Sequence, residues 1–521
     1  MNGNGLSVQK PYIISADIGT TSTKTLVIDR SGRVIASHSV EYPLHTPKPD
    51  VAEQDPDEIF QAVLTAIRSV VSKAAVLPGQ VLCVSFSSAM HSLIAIDKEL
   101  QPLTRCITWA DNRSAAYVKV LKEELNGHEI YLNTGTPIHP MSPLLKLMWL
   151  RDHRPDLFKQ AYKFIGIKEY VFAKLFGKLV IDYSIASATG LFNLRRLDWD
   201  EGALAACGVR REQLPDPVST THLLDGLSTD AAASMGLSAD TPFVIGASDG
   251  VLANLGVGAL DQGVYAVTIG TSGAVRGVMR EPVTDPKGRL FCYALNEDFW
   301  VVGGAINNGG IMFRWVRDQL ATAEAEEGRL RGMDPYDYLT ELAREVAPGS
   351  DGLIFLPLLS GERAPYWNAN ARGVFFGLSL YHQKKHMIRS VLEGVMYRIH
   401  SVVTALEELS GPTKEIRASG GFARSPFWLQ MMSDVLGTTV AVPNTIESSG
   451  LGAAQLGMLA LGEIKDFSSV HDWMHVEQSL AASEQNHEIY QQLTKIYNRV
   501  YHQLKDEFDA IAAFQLKHTQ S

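Results

Sequence analysis

The fold is decided by a stretch near the start of the chain, YIISADIGTTSTK at residues 12–24. Tyr12 to Ile18 is apolar and rich in β-forming residues, which predicts a strand, and Gly19 to Thr23 is a tight polar turn. Residues 25–28 return as a second strand, and a further turn leads into a third strand at residues 34–40. The chain is therefore predicted to open with an antiparallel meander.

The same pattern occurs a second time, as VYAVTIGTSGAV at residues 264–275. Val264 to Ile269 is a predicted strand, Gly270 to Gly273 a turn, and Ala274 to Met279 the return strand. A repeat at this wide separation predicts two related domains that face one another, because solenoid repeats recur at much shorter periods. We place the boundary at residue 255, which gives domains 1–255 and 256–521.

A helix and a buried strand follow the first meander. The helix is predicted over residues 56–75, with Asp55 as the N-cap and Pro56 at its first position. Residues 81–86 form an apolar strand that runs directly into the polar loop Ser87-Ser-Ala-Met90-His91. A polar loop directly after a buried strand is where α/β proteins place substrate contacts.

The composition is that of a globular protein with sizeable cores. Of 521 residues, 45% are hydrophobic and 20% are charged, and the net charge is −10. Such an acidic surface disfavours a nucleic-acid partner. The four cysteines show no zinc-ligand spacing, and the chain has neither a signal-peptide pattern nor a run of 18 apolar residues. We therefore expect a cytoplasmic protein without a membrane span.

Both glycine–threonine turns offer what a phosphate group needs. Glycine allows the backbone to come close, successive N–H groups can point at the anion, and threonine or serine hydroxyls add donors. In the first turn, Lys24 is placed to neutralise an outer phosphate, and Asp17 is suited to hold Mg²⁺. A single turn of this kind is usually an ordinary hairpin. Two equivalent turns, one preceded by aspartate and followed by lysine, favour a phosphate site.

Two other nucleotide motifs are absent or incomplete. The chain contains no GxxxxGK[ST] sequence, which excludes a P-loop enzyme. The segment GLGAAQLG at residues 450–457 lacks the GxGxxG spacing of a dinucleotide site. We interpret its glycines as points of close helix packing.

Two further stretches resemble the signatures of the FGGY carbohydrate kinase family, within the actin-like ATPase superfold. The first is MSPLLKLMWLRDH at residues 141–153. The second combines GVFFGL at residues 373–378, His386-Met387 and SVLE at residues 390–393. The resemblance runs from about Tyr12 to Gly457. It implies an α/β fold of the actin-like, ribonuclease H-like type, in which two duplicated domains enclose a nucleotide cleft.

The resemblance also implies roles for particular residues. Asp249, in the segment FVIGASDG at residues 243–250, matches the aspartate that acts as the catalytic base in this family. A carboxylate of this kind takes the proton of the acceptor hydroxyl as the phosphoryl group is transferred. The ordinary interpretation is a helix-capping aspartate. Together with the two turns, the resemblance gives these ATP-binding residues: Gly19, Thr20, Thr21, Ser22, Lys24, Gly270, Thr271, Ser272, Gly310, Arg314, Gly420, Gly421 and Ser425.

Two loops of the first domain are expected to contact the substrate. Relatives make contacts from the positions of Met90 and His91, and the segment TWADNR at residues 108–113 adds Trp109, Asp111 and Arg113. A ring and a carboxylate suit a polyol, and a guanidinium can pair with a carboxylate. The resemblance is strongest to family members that act on gluconate. Arg113, Lys168 and His91 are unranked candidates for the cation that meets the acid group. For each of them, surface charge or a core role is the alternative.

Several alternatives remain open on sequence alone. The substrate can be another small sugar or polyol, such as xylulose, and a chaperone-like or actin-like ATPase would use the same turns.

The tail from Glu488 reads as one amphipathic helix with apolar positions at Ile489, Leu493, Ile496, Val500, Leu504 and Phe508. We expect it to pack on the second domain, with a homodimer contact as the alternative. Glu362 and Arg363 are expected to form a structural ion pair.

Overall fold

The computed structural model describes residues 10–444 and 447–518. The chain divides into two compact units. The first comprises Met1–Gly258, Val278–Val302 and Glu447–His475, and the second comprises Ala259–Gly277, Gly303–Ile446 and Val476–Ser521. The units therefore group residues 278–302 and 447–475 with the first half of the chain, whereas the sequence division at residue 255 groups them with the second half. The division into domains 1–255 and 256–521 stays a prediction.

A six-stranded sheet forms the centre of the first unit. Its strands, in spatial order, are Leu223–Leu224, Phe243–Ser248, Val81–Ser88, Tyr12–Ile18, Ser22–Asp29 and Val34–Glu41. The last three are antiparallel neighbours, which confirms the predicted meander. The strand Val81–Ser88 runs parallel to Tyr12–Ile18 on one side and to Phe243–Ser248 on the other. The carboxyl ends of these three strands therefore meet at one edge, the edge at which α/β sheets place ligand contacts.

The helix Pro56–Lys73 covers part of this sheet and begins as predicted. The Asp55 side chain accepts hydrogen bonds from the backbone N–H groups of Asp57 and Glu58, which satisfies two of the donors that a helix start leaves open. Its inward face packs Ile59, Val63, Ile67 and Val70 into the core.

Two further helices of the first unit, Asp249–Gly256 and Ser448–Ala460, pack tightly against each other. A Cβ on Gly256 would lie 1.8 Å from the Ser448 carbonyl oxygen, and one on Gly452 would lie 2.1 Å from the Leu252 carbonyl oxygen. Only glycine allows this approach. The prediction that the glycines of residues 450–457 serve helix packing is confirmed.

A second sheet carries the second copy of the opening pattern. Its seven strands, in order, are Phe291–Ala294, Trp300–Ile306, Gly273–Met279, Val264–Ile269, Glu415–Ser419, Thr439–Pro443 and Val476–Leu480. Val264–Ile269 is antiparallel to Gly273–Met279 and parallel to Glu415–Ser419. The predicted second strand–turn–strand is therefore confirmed, and its parallel neighbour occupies the same position as Val81–Ser88 in the first sheet.

The other elements complete the two units. The remaining α-helices of the first unit are Tyr117–Glu124, Gly127–Thr134, Pro143–His153, Pro155–Gln160, Ile167–Phe176, Tyr183–Ser187, Glu201–Cys207, Thr229–Met235 and Val470–Trp473. Those of the second unit are Ile311–Trp315, Thr322–Leu330, Pro335–Arg344, Lys384–Ser410, Pro426–Leu436, Glu484–Gln503 and Lys505–His518. Short strand pairs are Glu53–Gln54 with Cys106–Ile107, Ile94–Ile96 with Lys163–Ile165, Val180–Asp182 with Asp216–Val218, Phe192–Asn193 with Asp198–Trp199, and Ile354–Leu356 with Val374–Phe376. Across the described ranges, no helix combines the length and the apolar character that a membrane crossing requires.

The tail differs from its prediction in two respects. It forms two helices, Glu484–Gln503 and Lys505–His518, instead of one. Of the predicted positions, Val500 and Phe508 are buried, and the buried face also includes tyrosines that were not predicted: Tyr490 donates a hydrogen bond to the Glu393 carboxylate (2.9 Å), and Tyr501 stacks on Tyr366 at 3.5 Å. These partners lie in the second unit, so the expectation that the tail packs on that half is confirmed.

The predicted pairing of Glu362 with Arg363 is wrong. The Glu362 carboxylate pairs with Arg398 at 3.1 Å, and both side chains are completely buried. Arg363 donates through its Nε to the Asn307 side chain (2.7 Å). The long helix Lys384–Ser410 brings Arg398 to Glu362 from a distant part of the chain, and sequence proximity gave no indication of this contact.

Candidate active site

The first turn, Gly19 to Ser22, is held from behind by three side chains. The Tyr42 hydroxyl donates to the Gly19 carbonyl oxygen (2.6 Å), and the Gln54 amide donates to the Thr20 carbonyl oxygen (2.6 Å). The Trp109 indole donates to the Thr20 hydroxyl at 2.9 Å. The turn is therefore fixed before any ligand arrives. One of its anchors, Trp109, is itself a predicted substrate residue.

Asp17 lies at the end of the strand that leads into this turn. One carboxylate oxygen accepts a hydrogen bond from the Ser87 hydroxyl and the other accepts one from the Ser449 hydroxyl, each at 2.8 Å. Burial raises the pKa of the Asp17 carboxyl, and the two hydroxyl donors counteract this rise. Ser87 is reached through the parallel strand, whereas Ser449 belongs to the helix Ser448–Ala460. Sequence reasoning identified neither serine as a partner.

Lys24 follows the first turn on the return strand. Its ammonium forms an ion pair with the Glu447 carboxylate in the same unit. The side chains of both residues are partly exposed, so the pair lies within reach of solvent. The lysine that was predicted to neutralise a phosphate therefore has a carboxylate partner in this structure.

The substrate loop after the strand Val81–Ser88 brings His91 into the interior. His91 is buried, has a left-handed backbone with φ of 70°, and places its Nδ1 2.7 Å from the Ala188 carbonyl oxygen. Met90, immediately before it, is only partly buried. The two predicted contact residues thus differ, because the histidine ring is anchored inside the unit and the methionine lies nearer the surface.

The second substrate loop contains a closed charge network. The Arg113 guanidinium pairs with Asp111 at 2.8 Å and with Glu53 at 2.5 Å, and its plane lies 4.7 Å from the centre of the Trp149 ring. Asp111 is 1% exposed and also accepts a hydrogen bond from the Ala52 backbone N–H. Two carboxylates therefore already balance the charge of Arg113, and among the predicted substrate residues of this loop Trp109 is the most exposed, at 38%.

Lys168, a further candidate for the cation that meets the substrate, lies in the core of the first unit. Its ammonium lies 2.6 Å from the Asp182 carboxylate, and both side chains are at most 1% exposed. This distance is short for an ion pair, although Lys168 Nζ and Asp182 Oδ2 do not meet the geometric requirements of a hydrogen bond. Burial on this scale favours a structural role for Lys168.

Asp249 is the first residue of its helix and directly follows the strand Phe243–Ser248. One oxygen of its partly buried carboxylate accepts a hydrogen bond from the Gly250 backbone N–H at 2.6 Å. The preceding residue, Ser248, is fixed by Ser184, whose hydroxyl accepts from the Ser248 backbone N–H (3.1 Å) and donates to its side chain (2.9 Å). The carboxylate is thus held at the carboxyl edge of the first sheet.

The second turn borders a pocket of about 740 Å³ in the second unit. Six of the predicted ATP residues line it, namely Gly270, Thr271, Gly310, Arg314, Gly421 and Ser425. Its wall includes four aromatic side chains that sequence reasoning did not select, namely Phe313, Tyr336, Phe422 and Trp428. The volume suits a ligand of nucleotide size, and an aromatic wall suits a flat base.

The glycines around the second turn have distinct tasks. Gly310 donates its backbone N–H to the Gly270 carbonyl oxygen at 2.7 Å, which ties the turn to the start of the helix Ile311–Trp315. Gly420 has φ of +94°, and a Cβ there would lie 2.5 Å from the Ile269 carbonyl oxygen. Gly420 and Ser272 are not among the residues that line the pocket.

Comparisons with known proteins agree with this arrangement over almost the whole chain. The model of the FGGY family of carbohydrate kinases, N-terminal domain, matches residues 12–256, and the C-terminal domain model of the same family matches residues 265–461. The chain belongs to the FGGY family of carbohydrate kinases.

Individual members of the FGGY family are also similar to the chain. A gluconokinase from Bacillus subtilis (strain 168) is 50% identical over 505 residues, which cover 97% of this chain and 98% of that protein. Crystal structures of a gluconate kinase and of a ligand-bound xylulose kinase, both from Lactobacillus acidophilus, each match with a TM-score of 0.91 at 37% identity. Each match covers 96% of this chain and 99% of the other. The actin-like fold is therefore shown.

The FGGY family context raises the question of a metal ion. Within residues 10–444 and 447–518, no three histidine, cysteine or acidic side chains are grouped as a metal cage. Mg²⁺ in phosphoryl-transfer enzymes is commonly held by one or two carboxylates together with substrate phosphates. Asp17, with two hydroxyl groups on its oxygens, fits this type of site.

Proposed function

We propose that the protein is an ATP-dependent kinase that transfers the γ-phosphoryl group to the terminal hydroxyl of D-gluconate, giving 6-phospho-D-gluconate and ADP. The observation that carries this proposal is the 50% identity to a gluconokinase over nearly the full length of both chains. The pocket of the second unit, with its glycine turn and aromatic wall, supports nucleotide binding. The first unit supplies Trp109 and Asp249 for the sugar and the chemistry.

Asp249 is the proposed general base. As the hydroxyl oxygen of the sugar forms its bond to the γ-phosphorus, the proton passes to the Asp249 carboxylate. The bond from the γ-phosphorus to the bridging oxygen breaks, and its electron pair leaves with ADP. General-base catalysis contributes roughly 10²–10⁴-fold, and positioning supplies much of the remainder.

The two turns are proposed to hold the phosphates. The backbone N–H groups and hydroxyls of Gly19, Thr20, Thr21 and Ser22 would contact the transferred group, and those of Gly270, Thr271 and Ser272 the rest of the chain of phosphates. Asp17 is the residue that would hold Mg²⁺, directly or through water. Bound Mg²⁺ would offset the negative charge of the phosphates.

Activity on a panel of substrates tests the proposal. Purified protein is supplied with ATP, Mg²⁺ and gluconate, xylulose, ribulose or glycerol, and the products are identified by mass spectrometry. We expect 6-phosphogluconate to form with the highest kcat/KM. ADP release without phosphorylation of any substrate would contradict the proposal and would favour an actin-like or chaperone-like ATPase.

A xylulose kinase is the second candidate. It is favoured by the match to the ligand-bound xylulose kinase of Lactobacillus acidophilus, which is as strong as the match to the gluconate kinase of that organism. The structure also shows that two carboxylates already pair with Arg113, one of the three unranked candidates for the cation that meets the acid group. A higher kcat/KM for xylulose than for gluconate in the same assay would establish this alternative.

We also propose that the enzyme works in the cytoplasm, where ATP is available, and without a nucleic-acid partner. The four cysteines Cys83, Cys106, Cys207 and Cys292 are buried free thiols, which suits a reducing compartment. A homodimer stays a proposal, and the mass in solution measured by light scattering checks it.

A further inference from the structure

Lys146 is a buried cation for which the proposed chemistry has no use. It lies on the helix Pro143–His153, within the stretch that matches the first family signature, and it is 1% exposed. Its ammonium donates to two backbone carbonyl oxygens, that of His91 at 2.5 Å and that of Ile107 at 3.5 Å. These two carbonyls belong to different loops.

Each of the two carbonyls lies at one end of a substrate loop. His91 ends the loop that begins at Ser87, and its left-handed backbone is a conformation that costs a non-glycine residue about 1–3 kcal/mol unless neighbouring contacts hold it. Ile107 is the last residue of the strand Cys106–Ile107, directly before the loop Thr108–Arg113. Reciprocal backbone hydrogen bonds between Leu93 and Ile107, at 3.0 and 2.9 Å, keep the bases of the two loops adjacent.

The environment of Lys146 makes a purely space-filling role unfavourable. Burial lowers the pKa of its ammonium to about 7, against the opposing influence of the Asp111 and Cys106 side chains. In the described part of the chain, no carboxylate lies within ion-pair distance of this ammonium. A methionine of similar length would fill the same space without the cost of desolvating a charge. What the lysine adds is the ability to donate to two carbonyls at once.

We propose that Lys146 is a positioning residue that sets the relative placement of the loops Ser87–His91 and Thr108–Arg113. This inference rests on the proposed function, because it assigns both loops to the sugar. Without the ammonium, the backbone at His91 loses the contact that favours its left-handed conformation. The loop that carries Trp109 loses its second tether at Ile107.

The consequence falls mainly on the sugar. Both loops belong to the first unit, whereas the pocket proposed for the nucleotide is lined by residues of the second unit. The loop Thr108–Arg113 also contacts the first phosphate turn, because the Trp109 indole donates to the Thr20 hydroxyl. A displacement of about 1 Å in a positioning group can reduce the rate about 100-fold. Loss of Lys146 should therefore raise the KM for the sugar strongly and the KM for ATP to a smaller extent.

The test compares Lys146→Met with a matched control, Lys163→Met. Lys163 also lies in the first unit and also donates to a backbone carbonyl, that of Leu214 at 2.6 Å, but it lies outside both loops. For Lys146→Met we expect the KM for the sugar to rise about 10- to 100-fold and the KM for ATP to rise several times less. The control should change neither constant by more than about twofold. An unchanged sugar KM in Lys146→Met, or an equal rise in both constants, overturns the proposal.

Two further measurements keep the inference testable in all cases. If Lys146→Met does not fold, Lys146→Leu, which also removes the donor, is measured in the same way, and an unchanged sugar KM again overturns the proposal. Hydrogen exchange of the peptides that cover residues 87–91 and 107–113 requires no activity. Faster exchange in these peptides alone supports the tether, and unchanged exchange contradicts it. Failure of the wild-type protein to phosphorylate any sugar would instead contradict the proposed function.

Discussion

The two glycine–threonine turns lie at equivalent positions of the two sheets and differ in chemistry. Each follows a strand that has an antiparallel partner on one side and a parallel partner on the other. In the first sheet Asp17 lies opposite Ser87 of the parallel strand, and in the second sheet Thr268 lies opposite Ser419. Both pairs are hydrogen-bonded, at 2.8 Å and 2.9 Å respectively. The second turn therefore has a hydroxyl where the first has a carboxylate.

The return strands differ in the same manner. Opposite Asp17 the first hairpin places Lys24, which pairs with Glu447, whereas opposite Thr268 the second hairpin places Ala274. The neutral turn instead borders the pocket with the aromatic wall. The duplicated strand–turn–strand therefore occurs once in each sheet, and two side chains decide which copy carries the charged chemistry.

The largest effect is expected from Asp249→Asn, which removes the proposed base from the first unit, the unit whose turn carries the charged side chains. The amide keeps the shape of the side chain but takes up no proton, so kcat should fall by about 10³-fold or more, while ADP affinity should change less than about twofold. Steady-state kinetics and calorimetric ADP binding check both parts. Turnover near that of the wild-type protein would exclude Asp249 as the base.

Asp17→Asn should have the next largest effect, because it makes the first turn resemble the neutral second turn. We expect kcat to fall by about 100-fold at saturating ATP, since charge that neutralises the phosphates through Mg²⁺ is lost. The concentration of Mg²⁺ needed for half-maximal rate should rise. An unchanged dependence on Mg²⁺ would contradict the metal role of Asp17.

Substitutions of two neighbouring glycines, Gly420 and Gly421, test the structure beside the second turn. Gly420→Ala should destabilise the protein by about 2 kcal/mol or more, because φ is +94° and the new Cβ would lie 2.5 Å from the Ile269 carbonyl oxygen. Gly421→Ala is the control, since a Cβ there has nothing within 4 Å. It should leave the free energy of unfolding within about 0.5 kcal/mol and weaken ADP binding at the pocket it lines. Equal stability of the two variants in urea would contradict this assignment.

The smallest effect is expected from Thr268→Ala, the counterpart of the Asp17 substitution. It removes one hydrogen bond, to Ser419, worth about 1 kcal/mol, so kcat/KM should fall by less than about tenfold. The same kinetic assay checks this. A loss as large as that of Asp17→Asn would remove the proposed division between a charged and a neutral turn.

The elements that local patterns specify were predicted well. The strand at Tyr12–Ile18, its copy at Val264–Ile269 and the Asp55 cap all depend on neighbouring residues, and the structure confirms each of them. The contacts of the site depend on distant residues. Ser449 reaches Asp17 across 432 positions, and Glu447 reaches Lys24 across 423.

Other parts of the site were missed for the same physical reason. The aromatic wall combines Phe313, Tyr336 and Trp428, which come from three helices, with Phe422, and no single segment shows a pattern that would select all four. Arg113 was an unranked candidate for the cation that meets the substrate, and one of its two carboxylate partners, Glu53, lies 60 residues earlier. The tyrosines of the tail were overlooked because only isoleucine, leucine, valine and phenylalanine residues were used to define its periodicity.

The most direct test of the account is a crystal structure of the protein with gluconate and an unreactive ATP analogue. The account predicts that an Asp249 carboxylate oxygen lies within about 3.2 Å of the terminal hydroxyl of gluconate, with the sugar beside Trp109. A well-ordered sugar whose terminal hydroxyl lies beyond hydrogen-bond reach of Asp249, with another side chain in contact with it, would contradict the account.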